Sequence, residues 1–300
     1  MEHDGVRSQN KTLIAIDGNS LLHRAYYALP GMTARDGTPT GALHGFFSML
    51  LLLTQRQPDY LLVAFDVHGK TFRHLKYEDY KAGRRETPDD LRKQFPLLKE
   101  LLTDMGIAVI ECPGFEADDI LGTMAIRCGR KGIDALLVTG DRDALQLVSE
   151  STHVLMTKKG ITETVEYTPE KLMETYGLTP DRMRDLKGLM GDTSDHIPGI
   201  PGVGEKTALR LLGEYGTLNA VLQHAGEIKG KLGERIRENA DSAELSFWLG
   251  TIETNAPVER QPEDCGFAPE HMARAAQKLR ALDLRSIATR LPQGEDAAHK

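Results

Sequence analysis

Cysteine is scarce, with Cys112, Cys128 and Cys265 the only three in 300 residues. They are odd in number and far apart, which excludes a disulfide framework and the paired spacing of a zinc site. A reduced, cytoplasmic compartment is the expectation. Long apolar runs are also missing. Runs such as Met49 to Leu53 fall far short of the ~20 residues that cross a bilayer, so no membrane partner is expected. The opening residues, MEHDGVRSQNK, hold no apolar stretch of the kind that marks a signal peptide. The third absence is an excess of positive charge. The net charge is −7, whereas a nucleic-acid-binding surface is usually basic. That objection weakens if the negative charge is concentrated in one place.

What is present is ordinary in amount. Hydrophobic residues make up 40% and charged residues 27%, as in a soluble globular protein, and the length suits one or two domains with a sizeable core. Thr12–Ile16, Tyr60–Phe65, Ile107–Glu111 and Ala135–Thr139 are continuous apolar, β-rich runs. Between them lie segments with helical spacing, from Ser20, over Ala42–Gln55, and from Phe115 through Cys128. Such alternation predicts a parallel sheet with helices on both faces. Beyond about Thr179 the strands stop and short helical patterns separated by glycine take over. The organisation read from this is a flexible N-terminus over 1–11, an α/β domain over 12–178, a helical subdomain over 179–291 and a disordered tail over 292–300.

In an open parallel sheet, ligands bind outside the carboxyl ends of the strands. Asp17, Asp66 and the pair Asp141 and Asp143 follow three of the four runs and share that rim. Glu116, Asp118 and Asp119 open a helix on the same rim. Each residue alone has a plain explanation, because aspartate is common in turns and acidic groups suit a helix N-terminus. Seven together, with Asp192 and Asp195 added, would repel one another and call for cations. An all-oxygen donor set selects Mg²⁺ or Mn²⁺, and this many carboxylates suit two ions acting on a phosphodiester. Setting these nine charges aside turns the balance to +2, compatible with nucleic acid.

Two further stretches point to the same partner. In GLMGDTSDHIPGIPGVGEKTALRLL, residues 188–212, the glycines Gly199, Gly202 and Gly204 form a tight turn that opens a helix carrying Lys206 and Thr207. A helix N-terminus behind close-approaching backbone suits a DNA phosphate; a surface loop and helix is the plain alternative. From Lys70 to Lys93 eight Lys and Arg, among them Arg73, Lys81 and Arg84, interleave with Phe72, Tyr77 and Tyr80. Cations attract phosphates and rings stack on unpaired bases, although Glu78, Asp79, Glu86, Asp89 and Asp90 would equally make this a solvated charged surface.

Together the segments LIAIDGNSLLHRAYYALP, LLVAFDVHGKTFRH, EDYKAGRRETP, GFEADDILGTMA, VTGDRDALQLV and GLMGDTSDHIPGIPGVGEKTA resemble the 5′-nuclease domain of bacterial DNA polymerase I, part of the flap endonuclease superfamily. The resemblance runs from about Thr12 to Ile287. It implies a PIN-like α/β fold with a C-terminal helix-hairpin-helix subdomain and a Mg²⁺-dependent 5′-3′ exonuclease or flap endonuclease acting in replication and repair. Asp17, Asp66, Glu116, Asp118 and Asp119 match the family's metal-centred catalytic carboxylates, and Asp141, Asp143, Asp192 and Asp195 those of a second, looser position. Lys81 and Arg84 would contact the scissile phosphate from a helical arch over 70–93, with Tyr77 and Tyr80 near the unpaired strand. The 199–207 hairpin would hold duplex DNA and, in many members, a K⁺ ion. The implied partner is a 5′ flap, nicked or gapped duplex, or an RNA–DNA primer junction, bound by a monomer. The resemblance ends where a polymerase would continue, so a stand-alone nuclease or a separated domain is expected. Two rival readings differ in class. A non-catalytic flap-binding protein would leave substrate intact. A phosphatase-like phosphotransferase, suggested by the Asp141-Arg142-Asp143 pattern, would need a nucleophilic aspartate and would leave the hairpin and the basic segment without a purpose.

Overall fold

The computed structural model describes residues 10–158 and 163–292. The N-terminal stretch up to residue 9 and the tail from residue 293, both expected to be irregular, lie outside the described residues. The first apolar run forms β1 (Thr12–Asp17), followed without a loop by α1 (Gly18–Ala28). The Leu-rich α2 (Gly41–Thr54) leads to β2 (Tyr60–Phe65), all six residues of which are buried. Then come two short helices, α3 (Phe72–Lys76) and α4 (Asp89–Arg92), and the longer α5 (Gln94–Asp104). β3 (Ala108–Glu111), α6 (Ala117–Arg130) and β4 (Asp134–Thr139) complete the pattern read from sequence.

Side-chain alternation fixes the two faces of the sheet. Leu13 and Ala15 of β1, with Leu62 and Ala64 of β2, meet Ile120, Leu121 and Met124 of α6. Ile14, Ile16, Leu61 and Val63 face the opposite way, onto α1, α2 and α5. Both faces are covered, as a parallel sheet requires.

Two strands were not expected. β5 (Thr152–Thr157) pairs parallel with β4, and β6 (Thr164–Tyr167) pairs antiparallel with β5, so the sheet is mixed and six-stranded in the order β3-β2-β1-β4-β5-β6. The helix-like segment after Asp143 is a single 3₁₀ stretch, Arg142–Leu147, rather than an α-helix. The strand order reverses beside β1, between β2 and β4, which places the crevice outside the ends of β1 and β4.

Beyond β6 come α7 (Pro169–Tyr176), α8 (Met183–Met190), α9 (Glu205–Tyr215), α10 (Leu218–Gln223), α11 (Lys231–Glu238) and α12 (Ala240–Leu249). Their apolar sides join the α6 core, as with Leu186 and Leu189 of α8 and Leu211 and Leu212 of α9. The last helices, α13 (Ala276–Ala281) and α14 (Arg285–Arg290), depart from the expected 179–291 unit. Met272, Leu279, Leu284 and Ile287 pack on the far face with Leu98 and Leu101 of α5, because their apolar sides complete that layer. No helix among the described residues is long and apolar enough to cross a membrane.

Candidate metal and nucleic-acid site

Each acidic residue is held by the element it ends or begins. Asp17 closes β1 and caps α1, its Oδ1 accepting from the Ser20 N–H at 2.9 Å. Its Oδ2 accepts from the buried Thr139 hydroxyl of β4 at 2.8 Å. Asp66 follows β2, and its Oδ1 accepts from the Ala117 N–H at 2.7 Å, tying the strand end to the start of α6. Asp141 caps the 3₁₀ stretch through the Asp143 N–H at 2.9 Å. Asp192 and Asp195 sit on a tight loop closed by reciprocal backbone bonds between Asp192 and Ile197, both 2.8 Å. The capping explanation is therefore correct for several residues, and it also fixes where their remaining lone pairs point.

Eight of the nine acidic residues line a single cleft of about 640 Å³, with Lys81 and Arg84 on its wall. Asp119 is the exception. It is fully buried, and both its oxygens are saturated: Oδ1 accepts from Arg73 and the Glu253 N–H, Oδ2 from Arg73 and the Glu116 N–H, at 2.8–3.0 Å. Glu116, Asp118 and Asp119 nonetheless each offer a carboxylate oxygen within 4.8 Å of one another, a spacing that could hold a metal ion.

Arg73, read as a DNA contact, is only 1% exposed. Its remaining donors reach Glu116 Oε2 at 3.0 Å and the carbonyls of Leu249 and Thr251. It ties α3, α6 and the end of α12 together beneath the cleft. Tyr80 is corrected on the same ground: it is 4% exposed and its hydroxyl donates to Glu116 at 2.9 Å, so its ring is unavailable to a base. Tyr77 is half-buried against the small cluster of Tyr80, Ile197 and Leu249. The 70–93 segment is not a continuous helical arch but α3, a run of turns and α4. Lys81, at φ +56°, donates its N–H to the Asp195 carbonyl at 2.9 Å and its ammonium to Glu116. Arg84 pairs with Asp195.

Among the described residues, ion-pair partners divide the carboxylates. Glu116, Asp143, Asp192 and Asp195 have cations beside them; Asp17, Asp66, Asp118 and Asp141 have none. Burial, then the neighbouring Asp66 charge, pushes Asp17 up to about 7. Burial and the charge of Asp141 do the same to Asp143, also to about 7. Asp66 is raised by burial, and Asp118 is raised well above its ordinary value by burial and by Asp119. Glu116 goes the other way: burial would raise it, but Lys81 and Arg73 together outweigh that and hold it low. One atom tests directly for a cation. Asp118 Oδ1 is buried and has no hydrogen-bond partner. A carboxylate oxygen left so is strongly unfavourable unless a cation meets it, so the donor set fits a hard divalent ion.

The 188–212 hairpin is held from behind. Gly199 is buried, its N–H donates to Ser246 Oγ at 2.8 Å and its carbonyl accepts from Ser242 Oγ at 2.9 Å. With φ +59°, a Cβ there would lie 2.3 Å from the Gly191 nitrogen. Gly199 is thus required by close packing of the loop, which corrects its reading as a backbone contact to DNA. Gly202, Gly204 and Lys206 are exposed at the start of α9, and Thr207 is partly so. Sequence reasoning missed Lys187, lying between Asp143 and Asp192, and Arg235, whose guanidinium donates to the Pro201 carbonyl at 3.2 Å. Neither carries a local signal, since their partners are remote in sequence or sit in an irregular loop.

The family described as 5′-3′ exonuclease, N-terminal resolvase-like domain, matches residues 12–177, and 5′-3′ exonuclease, C-terminal SAM fold, matches residues 178–273. The chain is similar to DNA polymerase I of Geobacillus stearothermophilus, 46% identical over 290 residues, which cover 96% of this chain and 33% of the relative. DNA polymerase I of Mycobacterium bovis is 42% identical over 280 residues, covering 91% of this chain and 31% of the relative. The chain spans about a third of the length of these relatives. A solved structure of T5 5′-exonuclease with bound zinc has a TM-score of 0.67 at 18% identity, covering 94% of this chain and 98% of that one. The catalytic core of Rad2 in complex with DNA substrate gives 0.55 at 17% identity, covering 94% and 93%. At such identities these likenesses show the fold alone.

Proposed function

The chain belongs to the 5′-3′ exonuclease family, and from that premise we propose that it hydrolyses phosphodiesters near the 5′ ends of DNA, including flaps and RNA primers, with divalent metal. The observation that carries the reading is the convergence of eight of the nine predicted acidic residues, with Lys81 and Arg84, on one cleft. Asp17, Asp66, Asp118 and Glu116 would hold one Mg²⁺ or Mn²⁺, and Asp141, Asp143, Asp192 and Asp195 a second. When bound, such ions supply Lewis acidity at a phosphoryl oxygen and make water more acidic. Lys81 and Arg84 bring positive charge to the cleft wall, where a phosphate entering would exchange for their carboxylate partners. The exposed glycines and Lys206 at the start of α9 offer N–H groups and an ammonium to a duplex phosphate. Reported binding of DNA by the Rad2 core supports the same use of this fold here.

The test is cleavage of a 5′-labelled flap duplex by the full chain in Mg²⁺, in EDTA, and by Asp17→Ala in Mg²⁺. Cutting near the junction in Mg²⁺ alone, absent in the other two arms, is expected. Cutting in EDTA, or an active Asp17→Ala, would contradict the metal-site assignment.

A further inference from the structure

We propose that Lys187 is a built-in counter-ion of the outer carboxylate group and competes there with a divalent cation. The inference rests on the metal-dependent reading above. Charge is balanced unequally across the cleft. Asp17, Asp66 and Asp118 have no ion-pair partner among the described residues, whereas Asp143 and Asp192 share one. The Lys187 ammonium lies 2.8 Å from Asp143 Oδ1 and 2.5 Å from Asp192 Oδ2. Its side chain is only 11% exposed, far less than an ordinary surface lysine.

The two carboxylates come from separate places, one on the 3₁₀ stretch after β4 and one on the loop after α8, and the ammonium is what joins them. Its stem is seated rather than loose. A Cβ at Gly250 would lie 2.5 Å from Lys187 Cγ, so the glycine there makes the room that the stem fills. The tip also faces the cleft, which Lys187 lines. It therefore holds the outer carboxylates together without metal, and a divalent ion entering between them must displace it. Among the described residues, only Glu116 of the inner four carboxylates has cations beside it, whereas only Asp141 of the outer four has none. The inner group should bind an ion more tightly than the outer one, and Lys187, which pairs with two of the outer carboxylates, contributes to the difference.

Mn²⁺ binding to the full chain without DNA, followed by calorimetry and by the resonance of free Mn²⁺, tests this. Wild type should show a tight and a weak class. Lys187→Met should leave the tight class unchanged and tighten the weak class about tenfold, since it removes a positive charge from beside the ligating carboxylates. Lys187→Arg, which keeps the charge, should match wild type. A weak class unchanged or weakened in Lys187→Met would overturn the proposal and leave Lys187 a structural bridge. Absence of any Mn²⁺ binding in wild type would instead overturn the metal-dependent reading beneath it. Should Lys187→Met fail to fold, the ¹⁵N signal of the wild-type Lys187 ammonium decides. It should shift as the weak class fills with Mg²⁺, and a signal that stays in place at saturation would overturn the proposal.

Discussion

Arg73 makes five hydrogen bonds from a planar guanidinium, to two carboxylates and two carbonyls, with almost no water contact. Lysine has neither the fork nor the reach to replace it. Removing it leaves Asp119 buried without its cation, so Arg73→Met should lower stability by about 3–5 kcal/mol, measured by urea unfolding. A loss below about 1 kcal/mol, as for an exposed pair, would contradict this placement. Asp17 and Asp143 make a different kind of prediction. Unfolded, each releases its proton near 3.8; folded, each keeps it to about 7. The folded state binds more protons in that window, so the stability they contribute is full below it and lost as pH rises through 7. A divalent ion should remove the penalty. The rise in Tm caused by Mg²⁺ should therefore be larger at about pH 8 than at about pH 5, and an equal rise at both would contradict the raised values.

At the scale of elements, the loop from Asp192 to Gly199 and the turn from Tyr77 to Arg84 lean on each other. Lys81 and Arg84 both meet Asp195, one through backbone and one through its side chain. Lys81→Ala should slow flap cleavage with little loss of affinity, compared by single-turnover rates and binding on one substrate. A collapse of binding with an unchanged bound-state rate would make it an affinity contact. Gly199→Ala should distort the hairpin, since a Cβ has only 2.3 Å to the Gly191 nitrogen and φ is +59°. Duplex binding should weaken in that variant while Mn²⁺ binding at Asp17, Asp66 and Asp118 persists; loss of both together would show that the hairpin and the inner site are one unit.

For the whole molecule, the net charge of −7 is consistent with a nucleic-acid partner because much of the negative charge is gathered in one cleft. The strands β1 to β4 were legible because each is a continuous apolar run, and the rim carboxylates because they follow those runs. β5 and β6 were not, since Thr152–Thr157 mixes polar and apolar residues and Thr164–Tyr167 is four residues long. Arg73 and Tyr80 sit in motifs that look DNA-facing in sequence, but burial turns the Arg73 guanidinium toward Asp119 and Glu116 and the Tyr80 hydroxyl toward Glu116. Which charge faces the cleft and which lies beneath it depends on contacts between residues as far apart as Arg73 and Thr251, and no local pattern reports that.

The most direct measurement compares binding and cleavage of one 5′-flap duplex by wild type and Asp118→Asn in Mg²⁺. Asp118 carries the buried carboxylate oxygen without a hydrogen-bond partner. Asp118→Asn should bind the flap about as well as wild type and cut it slower by on the order of a thousandfold, because the change removes charge from the metal site and leaves the hairpin intact. Turnover equal to wild type would contradict a catalytic carboxylate cleft, and binding without cutting by both proteins would favour a flap-binding protein.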